Sequence, residues 1–174
     1  MADVPADKPT HLLAQVNIAM MKAPLTDPLM AGFVARLEEI NALAESSRGF
    51  VWRLQADEEN ESQIVAFERD GVVFNLTLWR SVETLREFVY NSQHKELIAA
   101  REQWFKKMEG PSMALWWVPR DHLPTIDEAL LRLDRLELLG PSQNSFTFGR
   151  PFEPPVRHRR EPEQDTDTDN EEQS

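Results

Sequence analysis

The sequence predicts an α+β domain whose strands and helices follow the order β-α-β-β-α-β, and three observations carry this. Apolar side chains alternate with a period of two in several short runs. Between those runs the apolar spacing changes to three and four. The helical stretches open at Asp, Ser or Thr and close near Ser or Gly. A chain of 174 residues with 41% hydrophobic content is enough for one domain with its own core.

The first run sets Leu12, Ala14, Val16, Ile18 and Met20 against Leu13, Gln15, Asn17, Ala19 and Met21. Both sets are largely apolar, so the run reads as a central strand covered on two sides, with Gln15 and Asn17 sharing one face. Asp27 is placed to cap a helix and Pro28 to occupy its first position. Leu29, Phe33, Leu37, Ile40 and Ala44 then give an amphipathic helix from about Pro28 to Ser46. Phe50, Trp52 and Leu54 mark a second strand. After a polar turn at Asp57 to Ser62, the pattern predicts a hairpin: Gln63 to Phe67 and Val72 to Trp79, joined at Asp70-Gly71.

Ser81 caps the next helix, whose stripe is Val82, Leu85, Phe88 and Val89. Asn91-Ser92 interrupts it. A new helical stretch places His94, Leu97, Ile98, Arg101, Trp104 and Phe105 on one face, and Gly110-Pro111 stops it. Met113 to Val118 reads as the last core strand. Thr125 and Glu128 have capping-box spacing before a helix carrying Ile126, Leu130, Leu133, Leu136 and Leu139, which ends at Gly140-Pro141. Ser145 to Phe148 adds an expected edge strand. This order is that of a ferredoxin-like split βαβ with a C-terminal helical extension. Such a sheet carries helices on one face, so a second copy packed sheet to sheet is the simplest cover for the other, giving a dimeric α/β barrel.

Composition narrows the function. Zero cysteines exclude a disulfide framework, a thiolate nucleophile and a cysteine metal site. A formal charge of -11 argues against nucleic-acid binding, which needs a basic face. No apolar run reaches the roughly 18 residues of a membrane span, and residues 1–10 lack the features of a signal peptide. A cytoplasmic protein is expected. From Glu153 onward eight acidic residues and three arginines follow a proline-rich stretch. Residues 153–174 are therefore expected to form a disordered acidic tail, residues 1–10 a flexible N-terminus, and residues 11–152 the domain.

Several runs together carry a resemblance: Ala14-Gln15-Val16-Asn17, Gly49-Phe50-Val51-Trp52-Arg53-Leu54, Trp79-Arg80-Ser81, Phe88-Val89-Tyr90 through His94, Leu115-Trp116-Trp117-Val118-Pro119, and Gly140-Pro141 through Phe146-Thr147-Phe148. Over about Leu12 to Phe152 the chain resembles the bacterial domain-of-unknown-function family 3291. That family looks like a branch of the antibiotic-biosynthesis-monooxygenase-type dimeric α/β barrels. The resemblance implies a homodimer and brings no established activity. The wider superfamily includes cofactor-independent quinone-forming oxygenases, haem-degrading enzymes and small isomerases or cyclases. Haem-degrading members use an Asn on the first strand with a Trp and a His on the second long helix. Asn17 matches the first, but Phe88 and Ile98 stand at the other two positions, which counts against haem degradation.

Among candidate site residues, His94 suits proton abstraction from a phenol or enol; its plain alternative is a helix-restart cap. Arg101, two turns on, could hold a carboxylate or enolate, or simply pair with a nearby glutamate. Asn17 and Gln15 could donate to a developing oxyanion, or merely satisfy neighbours, and Asn75 and Thr77 repeat the argument more weakly. Trp52, Trp79, Trp104 and Trp116 are candidates to line an aromatic pocket, although at least one of Trp116 and Trp117 must serve packing. His11, His122 and His158 are scattered without metal-ligand spacing, so no metal site is expected. Six glycines with no phosphate-cradling motif imply no nicotinamide or flavin cofactor. The favoured expectation is a cofactor-free oxygenase or acid-base enzyme acting on an aromatic or polyketide-like substrate, with His94, Arg101 and Asn17 as its working residues. A non-catalytic dimeric protein that binds a small apolar ligand is the alternative, and haem binding or degradation a distant third.

Overall fold

The computed structural model describes residues 9–156 apart from Gln93, and the side chain of His94 also lies outside the described residues. The N-terminal stretch expected to be flexible, up to Lys8, and the acidic tail beyond Val156 fall outside as well. The chain forms an α+β structure around one antiparallel five-stranded sheet.

Strand β1 (His11–Met21) is central. One of its edges pairs with β3 (Val72–Trp79), in a register that sets Gln15 against Thr77 and Asn17 against Asn75. Its other edge pairs with β5 (Met113–Pro119) and, beyond that, with the two-residue β4 (Phe105–Lys106). Strand β2 (Phe50–Arg53) adds to the far side of β3.

Helix α1 (Ala31–Ser46) follows a 3-10 turn at Pro28–Met30 that Asp27 caps by accepting from the Leu29 amide at 2.8 Å. Helix α3 (Val82–Asn91) opens as the spacing predicts, with the Ser81 hydroxyl accepting from the Thr84 amide. The chain breaks at Ser92 and resumes as α4 (His94–Ala100).

Two local expectations are overturned. The segment expected as the first arm of a hairpin, Gln63 to Phe67, belongs to helix α2 (Glu61–Arg69). Ile64 and Phe67 are three residues apart and share a helical side, and Phe67 stacks on Phe74 of β3 with ring centroids 5.0 Å apart. Glu61 in the first turn and Arg69 in the last complement the helix dipole. Asp70-Gly71, with Gly71 at φ 79°, ends this helix rather than turning a hairpin. The second correction concerns Trp104 and Phe105, which do not continue a helix. After α4 the chain makes a 3-10 turn at Arg101–Gln103, and Phe105 pairs with Met21 at the end of β1. The expected edge strand at Ser145 to Phe148 is reduced to a bridge in which Phe146 and Leu115 exchange two 2.8 Å hydrogen bonds.

The largest difference is how the sheet is covered. One face packs on α1 and α3 through Leu13, Trp79 and Leu115 against Ala44, Leu85 and Phe88. The sequence reading assigns the opposite face to a second copy. Instead α5 (Ile126–Leu139) lies on it, placing Ala129, Leu133 and Leu136 among Leu12, Ala14, Val16, Leu76 and Trp116. Those five strand residues are at most 5% exposed within a single chain. The expectation of helices on one face only is thus overturned: hydrophobic burial needs cover, and α5 supplies it.

Candidate functional site

On the α1/α3 side the sheet is apolar except for Arg53, which stands opposite Thr77 and pairs with Glu45 of α1 at 2.6 Å, and one block of four side chains. Gln15 and Thr77 are opposite each other in the register, and Asn17 and Asn75 form the next pair on the same face. Directly opposed residues bring their Cβ atoms within about 5 Å, so the four make a compact polar patch. The Trp79 indole Nε1 donates to Thr77 Oγ1 at 3.0 Å, and Thr77 Oγ1 donates to Gln15 Oε1 at 2.7 Å. An indole N–H can only donate, which leaves the Thr77 proton for the Gln15 carbonyl oxygen. The Gln15 amide nitrogen then faces away from Thr77, with no side-chain partner among the described residues.

Gln15 and Thr77 are buried, Trp79 is at 1% exposure, and Asn17 and Asn75 are half-buried. Ile40 and Ala44 of α1, Phe88 of α3, Ile98 of α4 and Met113 of β5 contribute to the same apolar layer. Amide N–H groups held on a rigid central strand within such a layer can stabilise a carbonyl, phenolate or enolate oxygen, because low surrounding polarity strengthens each hydrogen bond. The described members of the patch carry no titratable group, so proton transfer there would have to come from elsewhere.

The remaining candidates are dispersed. His94 is the first residue of α4. Arg101 is exposed in the 3-10 turn, while Trp104, three residues on, is buried against Met21, Met30 and Phe33. Arg101 and Trp104 therefore do not share a cavity, because the helix that would have aligned them ends at Ala100. The tryptophans do not line a common pocket either. Trp79 packs on the α1/α3 face, Trp116 on the opposite face beneath α5, Trp52 is half-buried at the edge of that second core, and Trp104 sits in a third cluster beneath α1. Of these four, Trp79 touches the polar patch.

Sequence reasoning missed a second polar cluster. Glu128 has capping-box spacing, and its backbone amide does donate to Thr125 Oγ1 at 3.2 Å. Its carboxylate turns elsewhere: it accepts from Trp116 Nε1 at 2.9 Å, pairs with His122 Nε2 at 2.7 Å, and lies 3.5 Å from Arg132 Nη2. Burial alone would push the Glu128 carboxyl up, but the hydrogen bonds from His122 and Trp116 and the charges of His122 and Arg132 outweigh it and hold it below the usual carboxylate value. Arg132 also lies over the Trp116 ring, 5.8 Å from its centroid. This cluster pins α5 to β5. Its traces in the sequence are the capping-box spacing of Thr125 and Glu128 and the nearby His122. Among the described residues no group of three His, Asp or Glu could hold a metal ion, and no helix is long and apolar enough to cross a membrane.

No curated protein matches the chain. A crystal structure of NE2512, a protein of unknown function from Nitrosomonas europaea, is similar at 13% identity and a TM-score of 0.45, covering 67% of this chain and 97% of that one. Residues 12–162 match the family described as "Domain of unknown function (DUF3291)", and the chain belongs to that family.

Proposed function

We propose that the chain is a small-molecule enzyme resembling cofactor-independent monooxygenases, acting on an aromatic or polyketide-like substrate held against the amide patch of Gln15, Asn17, Asn75 and Thr77. The observation that carries this reading is the relay from Trp79 through Thr77 to Gln15, which orients amide donors in an apolar layer. In this reading His94 takes the substrate proton and the amides hold the resulting oxyanion. Molecular oxygen then converts the ring carbon para to the phenolate, a CH2 in the keto tautomer, to a carbonyl, the second oxygen atom leaving as water with the C–H and O–H hydrogens, so the substrate supplies every electron. Arg101, exposed in this chain, has a part only if a bound substrate or a second copy reaches it. The strand order β2-β3-β1-β5 supports a ferredoxin-like arrangement, and a cytoplasmic homodimer belongs to the same proposal.

The test is oxygen uptake by the purified protein against a panel of hydroxyaromatic and polyketide-like phenols. Asn17→Ala should lower turnover about 100-fold, and His94→Ala should abolish it. Full activity in both variants refutes the mechanism. A second reading, a non-catalytic dimeric protein that binds a small ligand, is favoured because the four patch side chains carry no titratable group and the neighbouring Arg53 and Glu45 are paired with each other. Ligand retained in native mass spectrometry with no oxygen uptake on any panel member would select it. Haem binding is kept as the third possibility, to be eliminated if haem titration yields no Soret band.

A further inference from the structure

Where β1 begins and β3 ends, the returning segment Pro151–Pro154 closes a cleft of about 340 Å³ that also receives His11 and the start of α3. That volume falls in the range of small-molecule sites, roughly 300–1,000 Å³. None of its lining residues belongs to the amide patch, so it is independent of the function proposed above.

Its aromatic wall is built in advance. Trp117 Nε1 donates to the Phe152 carbonyl at 2.7 Å, and the Phe152 ring packs on Phe146 with centroids 5.7 Å apart. Arg86 is also committed: Nη2 donates to the Phe148 carbonyl at 3.0 Å, and its guanidinium lies 5.5 Å from the Phe148 ring centroid. A wall already ordered spares a ligand the entropy of ordering it.

The charges at the rim are not committed in this way. The side chains of Arg80, Glu83 and Glu153 line the cleft without a hydrogen bond or ion pair among the described residues. With Arg86, the cleft presents two guanidinium groups and two carboxylates, beside the His11 imidazole, whose Nδ1 is hydrogen-bonded with Thr10 Oγ1 at 3.0 Å. A dianion such as phosphate would meet the carboxylates, and a plain hydrocarbon would cover charged groups without pairing them. A ligand carrying both signs beside an aromatic ring matches the uncommitted charges and the aromatic wall.

We propose that this cleft binds a small aromatic zwitterion, an aromatic α-amino acid, with its carboxylate on Arg80, its ammonium on Glu83 and its ring against Trp117 and Phe152. The experiment is calorimetric titration of the full chain with L-phenylalanine, phenethylamine, benzoate and inorganic phosphate. Phenylalanine should bind in about the 0.1–1 mM range and at least tenfold more tightly than the other three. Arg80→Gln should weaken phenylalanine about tenfold and leave phenethylamine unchanged, while Glu83→Gln should weaken both amines and spare benzoate. Both substituted side chains are exposed, and circular dichroism checks that the variants are folded. No heat with phenylalanine up to about 10 mM, tighter binding of phosphate than of phenylalanine, or wild-type phenylalanine affinity in both variants would overturn the proposal.

Discussion

If α5 is the cover of the sheet, truncating its inner face must open the core, and truncating its outer face must not. Leu133 is 5% exposed and belongs to the cluster that holds Leu12, Ala14 and Trp116. Leu to Ala at buried sites costs about 2–5 kcal/mol, the upper part applying where the cavity cannot collapse. Here the strand side of the cavity includes Ala14 and Trp116, both at 0% exposure on paired strands, and is poorly able to relax. Alanine's better helix propensity returns a few tenths of a kcal/mol. A net loss of about 3 kcal/mol follows, which for a domain of this size lowers Tm by roughly 6–12 °C. Leu138, at 80% exposure on the same helix, is the control, and Leu138→Ala should stay within about 0.5 kcal/mol. The assay is thermal unfolding followed by circular dichroism at two protein concentrations well apart. The Leu133→Ala deficit should not change with concentration, since the cover is intramolecular. Equal behaviour of the two variants would refute the placement of α5, and a deficit that disappears at high concentration would move the cover to a second copy.

Two further predictions concern other parts of the fold. The Glu128 carboxyl is held below its usual value, so the stability it contributes is present above the usual carboxylate range and is lost as pH falls through the lowered folded value. Glu128→Gln should therefore be less stable than wild type by about 1–2 kcal/mol at neutral pH, and the gap should narrow as acid unfolding proceeds; a gap of constant size from neutral to acid pH would remove the ion-pair explanation. Gly49 has φ 83°, and a Cβ there would run into the Thr84 side chain, whereas Gly71 has φ 79° and faces open space. Urea denaturation should show Gly71→Ala losing about 1 kcal/mol and Gly49→Ala at least about 1 kcal/mol more, and equal losses would contradict the close approach of α3 to the turn before β2.

The sequence alone made legible the elements whose signals are local. Period-two alternation located β1 and β3, Asp27, Ser81 and Thr125 marked three helix starts, and Asn91-Ser92 marked the break before α4, because caps and periodicity depend on neighbours along the chain. It also singled out Gln15, Asn17, Asn75 and Thr77 as polar residues on a buried strand face. Their union in one patch was decided by the β1–β3 register, a property of pairing across more than 50 residues of chain. Tertiary structure likewise decided the state of Gln63 to Phe67, where a short apolar run fits either period and the stack of Phe67 on Phe74 selects the helix. The separation of Trp79 from Trp116 and of Arg101 from Trp104 depends on which core each side chain enters. The partner of Glu128 shows the limit most plainly: its spacing from Thr125 reads as a cap, but the indole of Trp116 and the imidazole of His122 become available only once α5 has docked on β5, and a charged hydrogen bond there outweighs the local one.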